Sequence, residues 1–241
     1  SLENNITIIT GGPGTGKTTI IKAIVELYKE MNKLNNEQLF KEIALIAPTG
    51  RAAKRIKEAT FFPASTIHKF LKWNKETNEF SVNKDNKSGV KFVIIDEASM
   101  IDSLLFKNLL DGLSDTIKLV VVGDYNQLPS VLPGQVLKDL IDSKIIPIIE
   151  LNELYRQKDD SYIIHLAHSI RCGNVSDDLT KKKSDYNFIE CNKYEIENII
   201  MELCKKAIEK KYSYKDIQVL VPMYKGINGI DNLNNKLQNI F

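Results

Sequence analysis

Residues 11–20 read Gly11-Gly12-Pro13-Gly14-Thr15-Gly16-Lys17-Thr18-Thr19-Ile20. The stretch follows an apolar run, Ile6–Thr10, and opens a segment, Thr19–Met31, whose apolar residues recur at helical spacing. Strand, glycine-rich turn and helix in that order form the context in which G-x4-G-K-[ST] folds around phosphate. The glycines let backbone N–H groups close on phosphate oxygens, and the helix N-terminus adds its partial positive charge. Gly12, Pro13, Gly14, Thr15, Gly16, Lys17, Thr18 and Thr19 then make the cradle, with Lys17 reaching the β- and γ-phosphates and the Thr18 hydroxyl ligating Mg2+. The alternative is a glycine-rich turn with no ligand, and the agreement of the whole motif with both flanking elements speaks against it.

Outward from this loop, the apolar runs Ile43–Ala47, Phe92–Ile95, Leu119–Val122, Ile145–Ile149 and Ile217–Val221 read as further buried strands. Continuous Ile/Val/Leu content without alternation is what a parallel sheet covered on both faces requires. Helical patterns such as Ala52–Glu58 and Leu104–Leu113 lie between them. The expected class is α/β, a doubly wound parallel sheet of the P-loop NTPase kind, with ligands at the carboxyl ends of its strands. Lys72–Gly89 reads as an exposed hairpin or loop inserted before the third of these runs. Asn174–Asn187, with its run Lys181-Lys182-Lys183, reads as a surface loop with a solvated charged face.

With 33 basic and 31 acidic residues the net charge is only +2, so any nucleic-acid contact has to be local rather than a property of the whole surface. The length of 241 residues allows one large or two modest domains. No apolar run approaches the roughly 18 residues that span a bilayer. The opening SLENNITIIT lacks the basic start and long apolar core of a signal peptide. The expectation is a cytoplasmic chain with no membrane partner. Cys172, Cys191 and Cys204 include no CxxC pair and read as reduced thiols.

Hydrolysis needs acidic groups near the phosphates, and Val93-Ile94-Ile95-Asp96-Glu97 supplies two at the end of an apolar strand. There Asp96 is suited to hold Mg2+ through water and Glu97 to polarise the attacking water. A pair of acids capping the next helix is the plainer alternative. Lys118–Pro129 is another strand running into polar residues at the same edge, where Gln127 is placed to sense the γ-phosphate.

The ordered motifs resemble superfamily 1 DNA helicases, and within them the RecD-like branch, the exodeoxyribonuclease V alpha-subunit family. GGPGTGKTT looks like that family's motif I, APTGRAAKR (Ala47–Arg55) its motif Ia, ASTIHKFL (Ala64–Leu71) the next DNA-facing motif, and DEASM (Asp96–Met100) its motif II. GDYNQLPSVLPGQVL (Gly123–Leu137) resembles motif III, LNELYRQ (Leu151–Gln157) motif IV, and Val219–Gln238 a stretch of the second motor domain. The resemblance implies two RecA-like domains, here residues 1–149 and an incomplete 150–241, that bind ATP and Mg2+ between them and move on single-stranded DNA, 5′ to 3′ in this branch. It implies that Pro48, Thr49, Arg51, Thr66 and His68 face the DNA backbone and that Arg156 reaches the γ-phosphate from the second domain. It also implies subunits of a recombination or repair complex as partners.

The departures from the family pattern are an upstream glutamine motif and motifs V and VI, none of which is in these residues. The opening strand and the closing helix-like KLQNIF suggest a piece of a longer chain, so residues 1–241 by themselves are expected to hydrolyse ATP weakly or not at all. No acidic cluster resembles a nuclease site. Two other readings stay open: a P-loop ATPase that remodels protein, and a nucleotide-gated DNA-binding subunit without turnover. His165, His168 and Cys172 share metal-ligand spacing, but the apolar residues around them read as an amphipathic helix ending at Gly173. Trp73 reads as a loop anchor before a base-stacking platform.

Overall fold

The computed structural model describes residues 3–151, 161–174 and 177–241, without the side chains of His168 and Arg171. The strands in chain order are β1 (Ile6–Gly11), β2 (Ile43–Ala47), β3 (Ala64–Thr66), β4 (Trp73–Asn74), β5 (Glu79–Phe80), β6 (Phe92–Ile95), β7 (Lys118–Gly123) and β8 (Ile148–Leu151). The helices are α1 (Lys17–Met31), α2 (Asn36–Glu42), α3 (Gly50–Thr60), α4 (Ile67–Phe70), α5 (Ser103–Gly112), α6 (Val136–Asp142), α7 (Tyr162–Arg171), α8 (Ile196–Glu209) and α9 (Ile230–Leu237). By contact density the chain divides into Ser1–Asp159 and Asp160–Phe241.

The first unit is built on a six-stranded sheet in the order β3-β2-β6-β7-β1-β8, with every pairing parallel. Ile9, Leu45, Ile94 and Val120 point to one core, which Ile21, Val25 and Ile56 of α1 and α3 complete. Ile8, Ile46, Val93 and Val121 point to the other, closed by Ile67, Leu105, Leu109 and Leu137 of α4 to α6. Alternate residues of one strand thus enter different cores, and both are dry, which is why the strands read as continuous apolar runs. Each such side chain contributes about 1.5–3 kcal/mol by leaving water. Because all strands run the same way, Gly11, Ala47, Thr66, Ile95 and Gly123 end on one edge, and the chain turns there into its next helix or loop.

Three expectations are corrected. The run Ile145–Ile149 forms its strand later, at Ile148–Leu151, because Pro147 has no N–H for the ladder and Ile145 is 84% exposed; Pro147 instead accepts from Ile8 N at 2.9 Å. The expected domain limit at 149 therefore falls inside β8. The edge strand β3 was not anticipated, since three residues are too few to show a period. Ile217–Val221 forms no strand: among the described residues 161–241 no other strand exists to pair with it, and Leu220 is 82% exposed.

The polar insertion Lys72–Gly89 contains a short antiparallel hairpin, with Trp73 opposite Phe80 and Asn78 at φ 57° in its turn. In the second unit, Glu197 on α8 accepts from Asn232 Nδ2 at 2.7 Å and pairs with Lys236, tying α9 to α8. Cys204 and Leu233 are its buried apolar residues. Lys181 and Lys183 both pair with Asp178, so the charge of this basic run is partly offset locally. No described helix is long and apolar enough to cross a membrane.

Candidate nucleotide site

At the carboxyl end of β1 the chain passes through Gly14 and Gly16, both left-handed at φ 82° and 85°, and enters α1 at Lys17. Gly16 is the N-cap, no side chain caps α1, and its first turn holds no acid. The first N–H groups of α1 are therefore left facing the loop. The loop braces itself: the Thr15 hydroxyl donates to Gly12 O at 2.9 Å, and Lys17 Nζ donates to Gly11 O and Gly12 O at 2.7 and 2.8 Å. Two of the three ammonium donors are used in this way, and the third is left for an oxygen in the cavity. Gly11 is fixed by packing, since a Cβ there would lie 2.8 Å from Leu151 O on β8.

The loop opens on a cavity of about 230 Å³ lined by Pro13, Gly14, Gly16, Lys17, Thr18, Thr19, Arg55, Asp96, Glu97 and Gln127. The lining comes from four places in the chain: the loop, α3, the end of β6 and the turn after β7. Strand β7 lies between β1 and β6, so Asp96 reaches the loop across one intervening strand. Of the cradle residues, Gly12 and Thr15 contribute no lining; the buried Thr15 side chain supports the loop from beneath.

Asp96 is only 8% exposed, and its Oδ1 accepts from the N–H of Glu97 at 2.9 Å. Burial, chiefly, and the neighbouring Glu97 charge push its carboxyl up to about 6. Burial lowers the Lys17 ammonium, and the charges of Asp124, Glu97 and Asp96 work against that. Each side chain thus makes the other's charge cheaper to hold in a dry site. Glu97 itself sits in the left-handed region at φ 53°, ψ 41°, a conformation that costs a non-glycine residue about 1–3 kcal/mol.

Asp124 was given no role by sequence reasoning, which placed only Gln127 of the turn after β7 at the phosphate. It is 2% exposed and organises that turn: its Oδ1 accepts from Asn126 N at 3.0 Å and its carbonyl from Gln127 N at 3.1 Å. Gly123 before it is closely packed, since a Cβ would meet Leu137 Cδ2 at 2.7 Å and the backbone nitrogens of Ala98 and Ser99 at 3.2 and 3.3 Å. Arg55 was likewise not singled out; its Nη1 lies 3.7 Å from Glu97 Oε1.

The residues expected to face DNA lie at the ends of the next two strands. Ala47 pairs with Thr66, so Pro48 and Thr49 after β2 sit beside the end of β3. Thr49 caps α3, its Oγ1 accepting from Ala52 N at 3.2 Å, and Thr66 caps α4, its Oγ1 accepting from Lys69 N at 3.1 Å. Arg51 is exposed in the first turn of α3. His68 lies 5.7 Å from the Phe80 ring and 6.1 Å from Trp73, and the three line a separate groove of about 680 Å³ against α5. Arg156 lies outside the described residues, as does most of LNELYRQ. His165 lies on α7 and Cys172 just beyond its end, and the described residues hold no cluster of three or more metal-ligating side chains.

A parallel sheet wound on both faces, with an uncapped helix N-terminus, a lysine and a buried aspartate around one cavity, defines a nucleotide-binding protein of the P-loop class with a RecA-like fold. A family profile described as "AAA domain" matches residues 1–133. The chain belongs to that family, as a RecD-like member among the superfamily 1 helicases. It is 33% identical over 240 residues to the ATP-dependent RecD2 DNA helicase of Deinococcus radiodurans, covering 99% of this chain and 31% of that protein. It is 33% identical over 267 residues to the RecBCD enzyme subunit RecD of Buchnera aphidicola subsp. Schizaphis graminum, covering 98% of this chain and 43% of that protein. The chain thus spans less than half the length of these two curated relatives. Among solved structures it is similar in fold to the Pif1 helicase from Candida albicans, with a TM-score of 0.53 and 24% identity over 99% of this chain and 58% of that one.

Proposed function

We propose that this chain carries the ATP-hydrolysing part of a DNA helicase or translocase that moves on single-stranded DNA, 5′ to 3′. The observation that carries the reading is the single cavity in which the uncapped α1 N-terminus, Lys17, Thr18, Asp96 and Glu97 meet. Its relatives' names, an ATP-dependent DNA helicase and a RecBCD subunit, supply the polymer and the assembly. The Thr18 hydroxyl and the Asp96 carboxylate are hard oxygen donors lining one cavity, a set that fits Mg2+ with phosphate oxygens and water completing its shell. When bound, that ion neutralises charge on the β- and γ-phosphates.

The protein's own groups do the rest. The α1 N–H groups and Lys17 bind and orient the phosphates, Glu97 accepts a proton from the attacking water, and Gln127 reports the γ-phosphate to the turn that Asp124 holds. Arg156 supplies a guanidinium to the γ-phosphate. Pro48, Thr49, Arg51, Thr66 and His68 track the DNA backbone, which needs hydroxyls and a cation but no base readout. The setting is cytoplasmic, with recombination or repair subunits as partners.

The test is steady-state ATP hydrolysis by the full-length protein, with and without single-stranded DNA, beside Lys17→Ala and Arg156→Ala. The expected result is strong DNA stimulation that both substitutions abolish. Hydrolysis indifferent to DNA would overturn the motor and leave only a nucleotide-binding ATPase.

A further inference from the structure

Arg55 is the one cavity-lining residue outside the loop motif, the strand-end acids and Gln127, and the proposed mechanism gives it no task. It stands on α3 at a place where its guanidinium meets Glu97, Nη1 to Oε1 at 3.7 Å, and both side chains line the nucleotide cavity. Lys17 and Asp96 also lie within range of its charge. Glu97 has few other restraints: its backbone is held in the left-handed region, and its carboxylate has no other ion pair among the described residues. The one ion pair of that carboxylate among the described residues therefore comes from a different element.

That element leads to the other edge of the unit. Arg51 and Arg55 are four residues apart on α3 and so share a face, about one turn from each other. Thr49 caps the same helix one residue before Gly50. Toward the core, α3 presents Ala52, Ala53 and Ile56. A force on the first turn of a rigid helix is passed to its second turn, because the backbone hydrogen bonds do not stretch.

We propose that Arg55 is a positioning residue that restrains Glu97: its guanidinium, ion-paired with a carboxylate oxygen the hydrolytic water needs, holds that oxygen toward α3, and a polyanion engaging Arg51 and Thr49 on the same helix releases it. The pair is then a brake on hydrolysis in the absence of DNA. This inference rests on the reading of the cavity as the motor's ATPase. Since the Arg55 side chain is 59% exposed, the brake is a modest one, on the order of two- to five-fold in rate, the range of a partly exposed ion pair.

The experiment compares the full-length parent protein with Arg55→Ala, Arg55→Lys and the control Lys54→Ala, whose partner is Glu58 on the same helix. Rates are read against ATP concentration, with and without single-stranded oligonucleotide. Arg55→Ala is expected to raise kcat without DNA about two- to five-fold, leave KM for ATP near the parent value and shrink the stimulation ratio by the same factor. Arg55→Lys is expected to restore part of the ratio, and Lys54→Ala to match the parent. A fall in kcat with and without DNA, or a large rise in KM, would make Arg55 a direct nucleotide ligand and overturn the brake. An unchanged ratio in Arg55→Ala would overturn it as well. If the parent protein itself showed no DNA-stimulated hydrolysis, the reading of the site would fail first, and that result is separate from all of these.

Discussion

Four helices begin on one edge of the same sheet, and they begin in two different ways. Helices α3, α4 and α5 are closed by their own side chains, with Thr49, Thr66 and Asp102 each accepting from a first-turn N–H. Helix α1 begins at a left-handed glycine with no cap and no acid in its first turn. The difference separates a structural helix start from an anion receptor: the dipole and the orphan N–H groups exist at every N-terminus, but only an uncommitted one has donors to offer a ligand. At the capped starts, a threonine that accepts from an N–H keeps its own hydroxyl proton, so Thr49 and Thr66 have one donor each for a phosphate. The same edge thus offers one strong anion receptor and beside it weaker donors, an arrangement that supports the proposed firm grip on a nucleotide and looser contact with a polyanion.

The sharpest way to break this contrast is at α1. Removing the ammonium in Lys17→Ala is expected to lower kcat for ATP about 10²–10³-fold, the cost of losing a preorganised charge at the transferred phosphate. Glu97→Gln is expected to lower it about 10²–10⁴-fold while nucleotide affinity stays near the parent value, because only proton transfer is lost. Equilibrium binding of a fluorescent nucleotide beside the hydrolysis rates distinguishes the two. A Glu97→Gln protein that hydrolyses ATP at the parent rate would remove this residue from the chemistry.

A smaller effect is expected from Gly16→Ala. Open space surrounds the position, with nothing within 4 Å of the added Cβ, so the whole cost lies in holding alanine at φ 85°. That cost is about 1–2 kcal/mol and is read as a lowered midpoint of denaturant unfolding. An unchanged midpoint would mean that the loop had relaxed, and nucleotide affinity should then have fallen instead.

The anion site was legible in sequence because its parts are local: a strand, the glycines and the lysine lie within a dozen residues, and the spacing itself is the mechanism. Asp96, Glu97 and Gln127 were legible because parallel strands deliver their ends to one edge. Arg55 and Asp124 were not, since their importance depends on which strands are neighbours and on how α3 lies over them, and a single sequence does not carry the sheet order. The short β3 and the late start of β8 after Pro147 were lost to weak periodicity and to one missing N–H. Ile217–Val221 shows the converse: the run has strand composition, but a strand exists only with a partner, and none lies among the described residues of its unit.

The weak edge allows the finest test, because a cap and a phosphate contact demand different things of one side chain. Thr49→Ala removes both and is expected to destabilise the protein by about 0.5–2 kcal/mol, the usual loss when an N-cap is truncated. Thr49→Asp keeps an acceptor for Ala52 N and adds a charge that the α3 N-terminus favours, so stability should equal or exceed the parent's. The same charge repels a DNA phosphate, and the Oδ atoms have no proton to donate to it. Thr49→Asp is therefore expected to unfold like the parent while its affinity for single-stranded DNA falls and the salt dependence of binding becomes shallower, as the added carboxylate offsets part of the protein's positive charge at the phosphates. If instead DNA affinity followed stability through both substitutions, with Thr49→Asp binding as the parent does, Thr49 would be a cap and nothing more, and the DNA path would have to rest on Arg51, Thr66 and their neighbours.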